Sequence, residues 1–208
     1  MANLETLVSS YCGLMEEVKK RHEVISLAAS GQLSSFIPPV VAWELCHLQL
    51  RMICELFALG SLLAHGDIKD TQTKRLRTAY QADWIVGQIE RIHPNFYPRP
   101  SKVVRDKSGA DTVEPITSGY LTKSDLLALY HECGGVLHRG NFQKLFGQPH
   151  KQQLDFKRVA AWTDKIVTLL NHHQIAFIDP TRELWVTMQT EDGRAQAAIM
   201  EEMVGESR

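Results

Sequence analysis

The sequence predicts a mainly α protein of α+β type: a helical bundle around one long central apolar helix, with a small three-stranded antiparallel β-meander at the C-terminus. Three observations predict it. Residues 39–66, PVVAWELCHLQLRMICELFALGSLLAHG, are too long for a strand and too apolar for an ordinary surface helix. Apolar residues recur at three- and four-residue steps in four further stretches, over 3–30, 71–92, 122–138 and 154–173. After residue 173 the pattern shortens to QIAFI, ELWVTMQ and RAQAAIM, separated by the turn-forming DPTR and TEDG. The expected organisation is a bundle over 1–173 with an irregular loop over 93–121, and a meander and tail over 174–208 packed on it.

In chain order, the first helix shows Leu7, Tyr11, Leu14, Val18 and Ile25 on one side and Lys19, Lys20 and Arg21 opposite, and GQLSSFIPP ends it. Pro38 and Pro39 mark the start of the central helix and Gly66 its stop. At about 100° per residue, Glu44, His47, Arg51 and Glu55 fall within roughly 80° of one another, with His65 on the same side. The remaining faces carry Val40, Trp43, Leu45, Leu48, Leu50, Ile53, Leu56, Phe57, Leu59 and Leu63, so the helix is expected to be surrounded on nearly every side. Charges near its middle cost several kcal/mol in a bilayer, roughly 2.5–3.5 each, which favours a soluble core over a membrane span. The third helix, over 71–92, has Leu76, Tyr80, Trp84, Ile85 and Ile89 as its expected buried side.

Residues 93–119 change character, with four prolines and no helical period. SKVVRD and ADTVEPI suit a small hairpin across KSG, Pro115 restricting the second strand to an edge. Arg91, His93, Arg99, Lys102, Arg105 and Lys107 are interleaved here with Phe96 and Tyr97, the mixture of phosphate-pairing cations and stacking rings that a single-stranded nucleic acid needs. Thr122 opens the fourth helix with a carboxylate three residues on, and LLALYHECGGVLH follows. Gly134 and Gly135 each cost about 1 kcal/mol in a helix and imply close approach of a neighbour. His131 and His138 share a side, but at about 10 Å along the axis they are too far apart to share a zinc ion, and a packed histidine pair against the central stripe is expected instead.

The chain has 208 residues, 44% hydrophobic and 23% charged, with a net charge of −1, so no global field draws it to nucleic acid and any such binding needs a local patch. Cys12, Cys46, Cys54 and Cys133 each lie in an apolar stretch without metal-ligand spacing, and no secretory signal opens the chain; a cytoplasmic protein with reduced structural thiols is expected, with no metal and no cofactor.

The order of a helix LxLRxxxELxAxGxLxAHG and a later LLALYHECGGVLHRGN resembles the HEPN-like helical bundles over about residues 1–173. In that superfamily an arginine and an acid on one long helix face a late helix carrying a tyrosine, a small residue and a terminal histidine. The resemblance implies a nucleotide- or RNA-binding bundle, associated with bacterial defence or toxin systems, and, if catalytic, a metal-independent ribonuclease. By that analogy His138 and Arg139 occupy the catalytic place. Glu44, His47, Arg51, Glu55, Tyr130, His131 and Asn141 line the binding side, and Arg99, Lys102 and Arg105 supply phosphate contacts. The family's histidine four to six residues beyond an arginine does not occur at any arginine here. The alternative is an interaction protein whose polar stripe is structural and whose meander forms a homodimer or partner interface. A stripe paired internally favours the alternative; a basic concave surface uniting Arg51, His138 and Arg139 favours RNA.

Overall fold

The computed structural model describes residues 4–66, 73–105, 109, 111–138 and 153–201. Among them are six helices and five strands: α1 (Leu4–Ala29), α2 (Pro39–Ala64), α3 (Lys74–Arg77), α4 (Ala82–Ile92), β1 (Arg99–Arg105), β2 (Asp111–Pro115), α5 (Lys123–Leu137), α6 (Phe156–Leu170), β3 (His172–Ala176), β4 (Arg182–Thr187) and β5 (Gln196–Glu201). Pro39 occupies the first turn of α2, where a missing N–H costs nothing, and Pro38 is extended as the N-cap. α5 begins in a complete capping box: the Thr122 hydroxyl accepts from the Asp125 N–H, and the Asp125 carboxylate accepts from the Thr122 N–H.

The three-stranded meander is corrected to a five-stranded antiparallel sheet in the order β2-β1-β3-β4-β5. β1 and β2 do pair antiparallel, as the sequence allowed, with Val103 opposite Val113 and Arg105 opposite Asp111. The sequence pattern did not reveal that this hairpin adds to the sheet: Arg99 pairs with Gln174 and Pro100 with His173. The cause lies in the two histidines. His172 and His173 continue the helical period of the preceding stretch, yet α6 stops at Leu170 and both histidines belong to β3, which lengthens that strand enough to receive β1. Leu184 and Val186 on β4, and Met188 just beyond it, alternate with less buried neighbours and face the core.

The stretch over 71–92 is not one helix. α3 is a single turn capped by Thr73, and the chain breaks at 78–81 before α4 begins, which leaves Tyr80, expected in the core, 74% exposed. α2 packs against α1, α4 and α5, while the sheet meets α1 and α6. Tyr11, Met15, Leu50, Ile53, Phe57, Leu129 and Leu184 belong to the single core between these layers.

α2 is not surrounded. Leu50, Ile53 and Phe57 are buried on one side, while Val41, Leu48 and Leu59, on the opposite side of the same helix, are each about 40% exposed. By length and composition α2 could cross a membrane, but 56% of its most apolar window is buried inside the protein.

Candidate functional site

The polar stripe of α2 runs along the border between its buried and open faces, and α5 lies against it. Arg51 is its centre. Its guanidinium forms an ion pair with Glu55, Nε standing 3.2 Å from a carboxylate oxygen, and donates from Nη2 to the Tyr130 hydroxyl at 2.7 Å, and its Cζ stands 4.1 Å from the centre of the Tyr130 ring. Gly134 makes room for this: a Cβ there would lie 3.2 Å from Arg51 Nη1, whereas Gly135 faces open space. Close approach therefore explains one glycine of the pair. Burial pushes the Tyr130 hydroxyl up despite the adjacent guanidinium.

The other stripe members separate. His47 is buried; its ring packs at 4.3 Å from that of Trp43 and its Nδ1–H donates to the Trp43 carbonyl at 2.9 Å. Desolvation lowers its pKa, so the neutral ring is favoured. Glu44 is half-buried and has no hydrogen bond or ion pair with a described residue. His65 is fully buried at the far end of α2; together with His93 it converges on the Ala176 carbonyl, at 3.2 and 3.1 Å, tying α2 to β3.

The expected histidine pair does not pack on the stripe. His131 is exposed, with Nε2 3.8 Å from an Asp83 carboxylate oxygen on α4, and His138 is the exposed C-cap of α5. Their seven-residue spacing does put them on one side, but it is the solvent side. Arg139 and Asn141 lie outside the described residues, so the proposed catalytic pair is represented by His138 alone.

All three candidate phosphate ligands of the hairpin have carboxylate partners. Arg99 pairs with Glu183, Lys102 with Glu114 at 3.0 Å, and Arg105 in bidentate fashion with Asp111 at 2.7 and 2.9 Å. Phe96 is fully buried, and Tyr97 donates its hydroxyl to the Leu121 carbonyl at 2.8 Å, so these rings anchor the segment to the core rather than offering stacking faces.

A second polar cluster was not singled out from sequence. Glu132 on α5 accepts two hydrogen bonds from Arg158 on α6, both at 2.7 Å, and one from the Trp162 indole at 3.3 Å. Those donors hold its carboxyl below the usual range. Nothing local in the sequence marks Glu132 for this role, because its arginine partner lies 26 residues later on another helix.

Among the described residues no three histidine, cysteine, aspartate or glutamate side chains gather in a way that could hold a metal ion. Burial raises the thiol pKa at Cys12, Cys46, Cys54 and Cys133, to about 11 at Cys46 and about 12 at Cys133, which leaves each a poor nucleophile at neutral pH. The fold and this geometry define an α+β protein with a helix-on-helix polar seam at Arg51 and Tyr130. No protein-family model, curated protein or solved structure matches the chain.

Proposed function

We propose that the protein is a non-catalytic interaction protein whose polar stripe is structural. The observation that carries this reading is the contrast between its charged and apolar groups. Arg51, Arg99, Lys102 and Arg105 each have a carboxylate of the same chain beside them, while Phe36, Val41, Leu48 and Leu59 stand in solvent. A nucleic-acid surface needs cations free to replace counterions on phosphate, whereas exposed apolar groups gain when a protein partner covers them.

A second reading, the nucleotide- or RNA-binding bundle, is favoured by one observation: Arg51 on the long helix meets Tyr130 on the late helix at 2.7 Å, as the HEPN-like resemblance implies. The exposed pairs on the hairpin are screened by solvent and contribute little, so phosphate is able to compete for them.

Titration of a labelled single-stranded RNA at low salt separates the two. The expected result is no association. RNA binding that weakens uniformly when Arg99, Lys102 and Arg105 are changed to alanine, with a salt slope smaller by about 0.7 per lost contact, overturns the interaction reading.

A further inference from the structure

α3 is a single turn, Lys74–Arg77, and it is pinned in place: Leu76 is buried in the core, and the Thr73 hydroxyl accepts from the Leu76 N–H at 3.4 Å. With Leu76 turned inward, Lys74, Arg75 and Arg77 are exposed. Unlike Arg51 and the hairpin cations, none of the three has an ion pair or a side-chain hydrogen bond with a described residue. Arg75 lies over the half-buried Trp84 ring of α4, its Cζ 5.1 Å from the ring centre. Stacking occupies the face of a guanidinium and leaves its N–H edge free to meet a carboxylate. Between these two residues in the chain stands Tyr80, 74% exposed where the helix breaks. Arginine, tyrosine and tryptophan are the side chains on which protein–protein binding energy concentrates.

We propose that this corner between α3 and α4 docks an acidic peptide segment of a partner protein. The inference rests on the interaction reading and names a surface for it and the chemistry of the occupant. Three uncompensated positive charges lie within four residues, about 6 Å of helix axis at 1.5 Å per residue, on a chain whose net charge is −1. They call for an equally compact set of carboxylates, and Tyr80 calls for an apolar side chain beside them.

Asp83 distinguishes such a peptide from a nucleic acid. Its carboxylate accepts from the Trp84 N–H at 2.8 Å, which fixes a negative charge next to the stacked ring. A phosphate backbone carries a charge at every unit and meets that carboxylate, whereas a peptide can place an uncharged residue there. Arg99, Lys102 and Arg105, the cations needed for a longer phosphate track, are paired within the chain.

Fluorescence anisotropy on the full chain tests the proposal. The probe is a labelled peptide in which glutamate and aspartate alternate with leucine. One control replaces the acids by glutamine and asparagine, and another is a labelled single-stranded RNA. At low salt the acidic peptide is expected to bind roughly tenfold or more tightly than the amide control, and to weaken as salt is added. Lys74→Ala combined with Arg75→Ala and Arg77→Ala should lower its affinity by roughly tenfold or more, and Tyr80→Ala alone by about tenfold. Arg99→Ala with Arg105→Ala should leave it unchanged. All of these positions are exposed, and an unchanged urea midpoint shows that the variants still fold. No association with the acidic peptide, equal binding of the amide control, a loss shared by the hairpin variant, or RNA binding that the α3 substitutions remove overturns the proposal. The two readings fail separately: RNA binding through the hairpin cations overturns the proposed function, and a chain that ignores both RNA and the acidic peptide overturns only this inference.

Discussion

Both ring nitrogens of His173 are engaged by the residues around it. It is fully buried; its Nδ1–H donates to the Leu170 carbonyl at 2.9 Å, so Nε2 is left to accept from the Tyr11 hydroxyl, also at 2.9 Å. Burial lowers its pKa to about 4 from an ordinary 6.5. The unfolded chain therefore binds the proton more readily. The stabilisation is fully present above pH 6.5 and is lost as pH falls from there to about 4, amounting to about 3 kcal/mol over that window. Urea midpoints measured from pH 7 to pH 5 should fall accordingly, and His173→Gln, which offers an amide to both partners but does not titrate, should flatten much of the slope. A residual slope in the same direction is expected from His47 and His172, which burial also depresses. Little of this was legible in the sequence. The doublet His172–His173 carries no local sign of burial, since Tyr11 is 162 positions away and helical spacing runs straight through it.

At the scale of single elements, local chemistry was legible where it acts over a few residues. The capping box at Thr122 is written in four consecutive positions, and Thr122→Ala should cost about 1 kcal/mol in a denaturation series. The glycine pair in α5 was half legible: the helix penalty is a property of the residue, but its reason depends on a side chain 83 positions earlier, Arg51. This separates two otherwise similar substitutions. Gly135→Ala meets nothing within 4 Å and should raise stability by about 0.5–1 kcal/mol through helix propensity. Gly134→Ala should gain less, because its methyl group sits 3.2 Å from Arg51 Nη1 and pushes the guanidinium away from Tyr130. Paired thermal melts give the comparison, and equal gains at the two sites would contradict the close approach. The central helix misled for a different reason. Its mean hydropathy announces burial, but only the three-dimensional arrangement shows α1 and α5 flanking it and leaving Val41, Leu48 and Leu59 outside.

In the whole molecule, the sheet is joined unevenly. β3 pairs with β4 over His172–Ala176 and β4 with β5 over Arg182–Thr187, but β1 meets β3 only at Arg99 and Pro100. Pro100 has no N–H to give the ladder, and its carbonyl is taken by the Ile116 N–H at 2.9 Å. Side chains reinforce this thin joint. Gln174 Nε2 donates to Ser101 Oγ at 2.8 Å, and the buried serine hydroxyl donates onward to His172 Nδ1 at 2.6 Å, a direction suited to the neutral imidazole that burial favours. The hairpin β1–β2 should therefore open as a unit below the free energy of global unfolding, because β2 is fully exposed and little of β1 is buried. Ser101→Ala removes both hydrogen bonds and leaves His172 Nδ1 without its donor, a local cost of about 1–3 kcal/mol. Amide hydrogen exchange should show β1 and β2 exchanging roughly tenfold faster or more in this variant, with β3, β4 and α2 unchanged. If protection falls equally across all five strands, the hairpin is part of the same cooperative unit as the core, and the joint at Ser101 is not the weak point of the sheet.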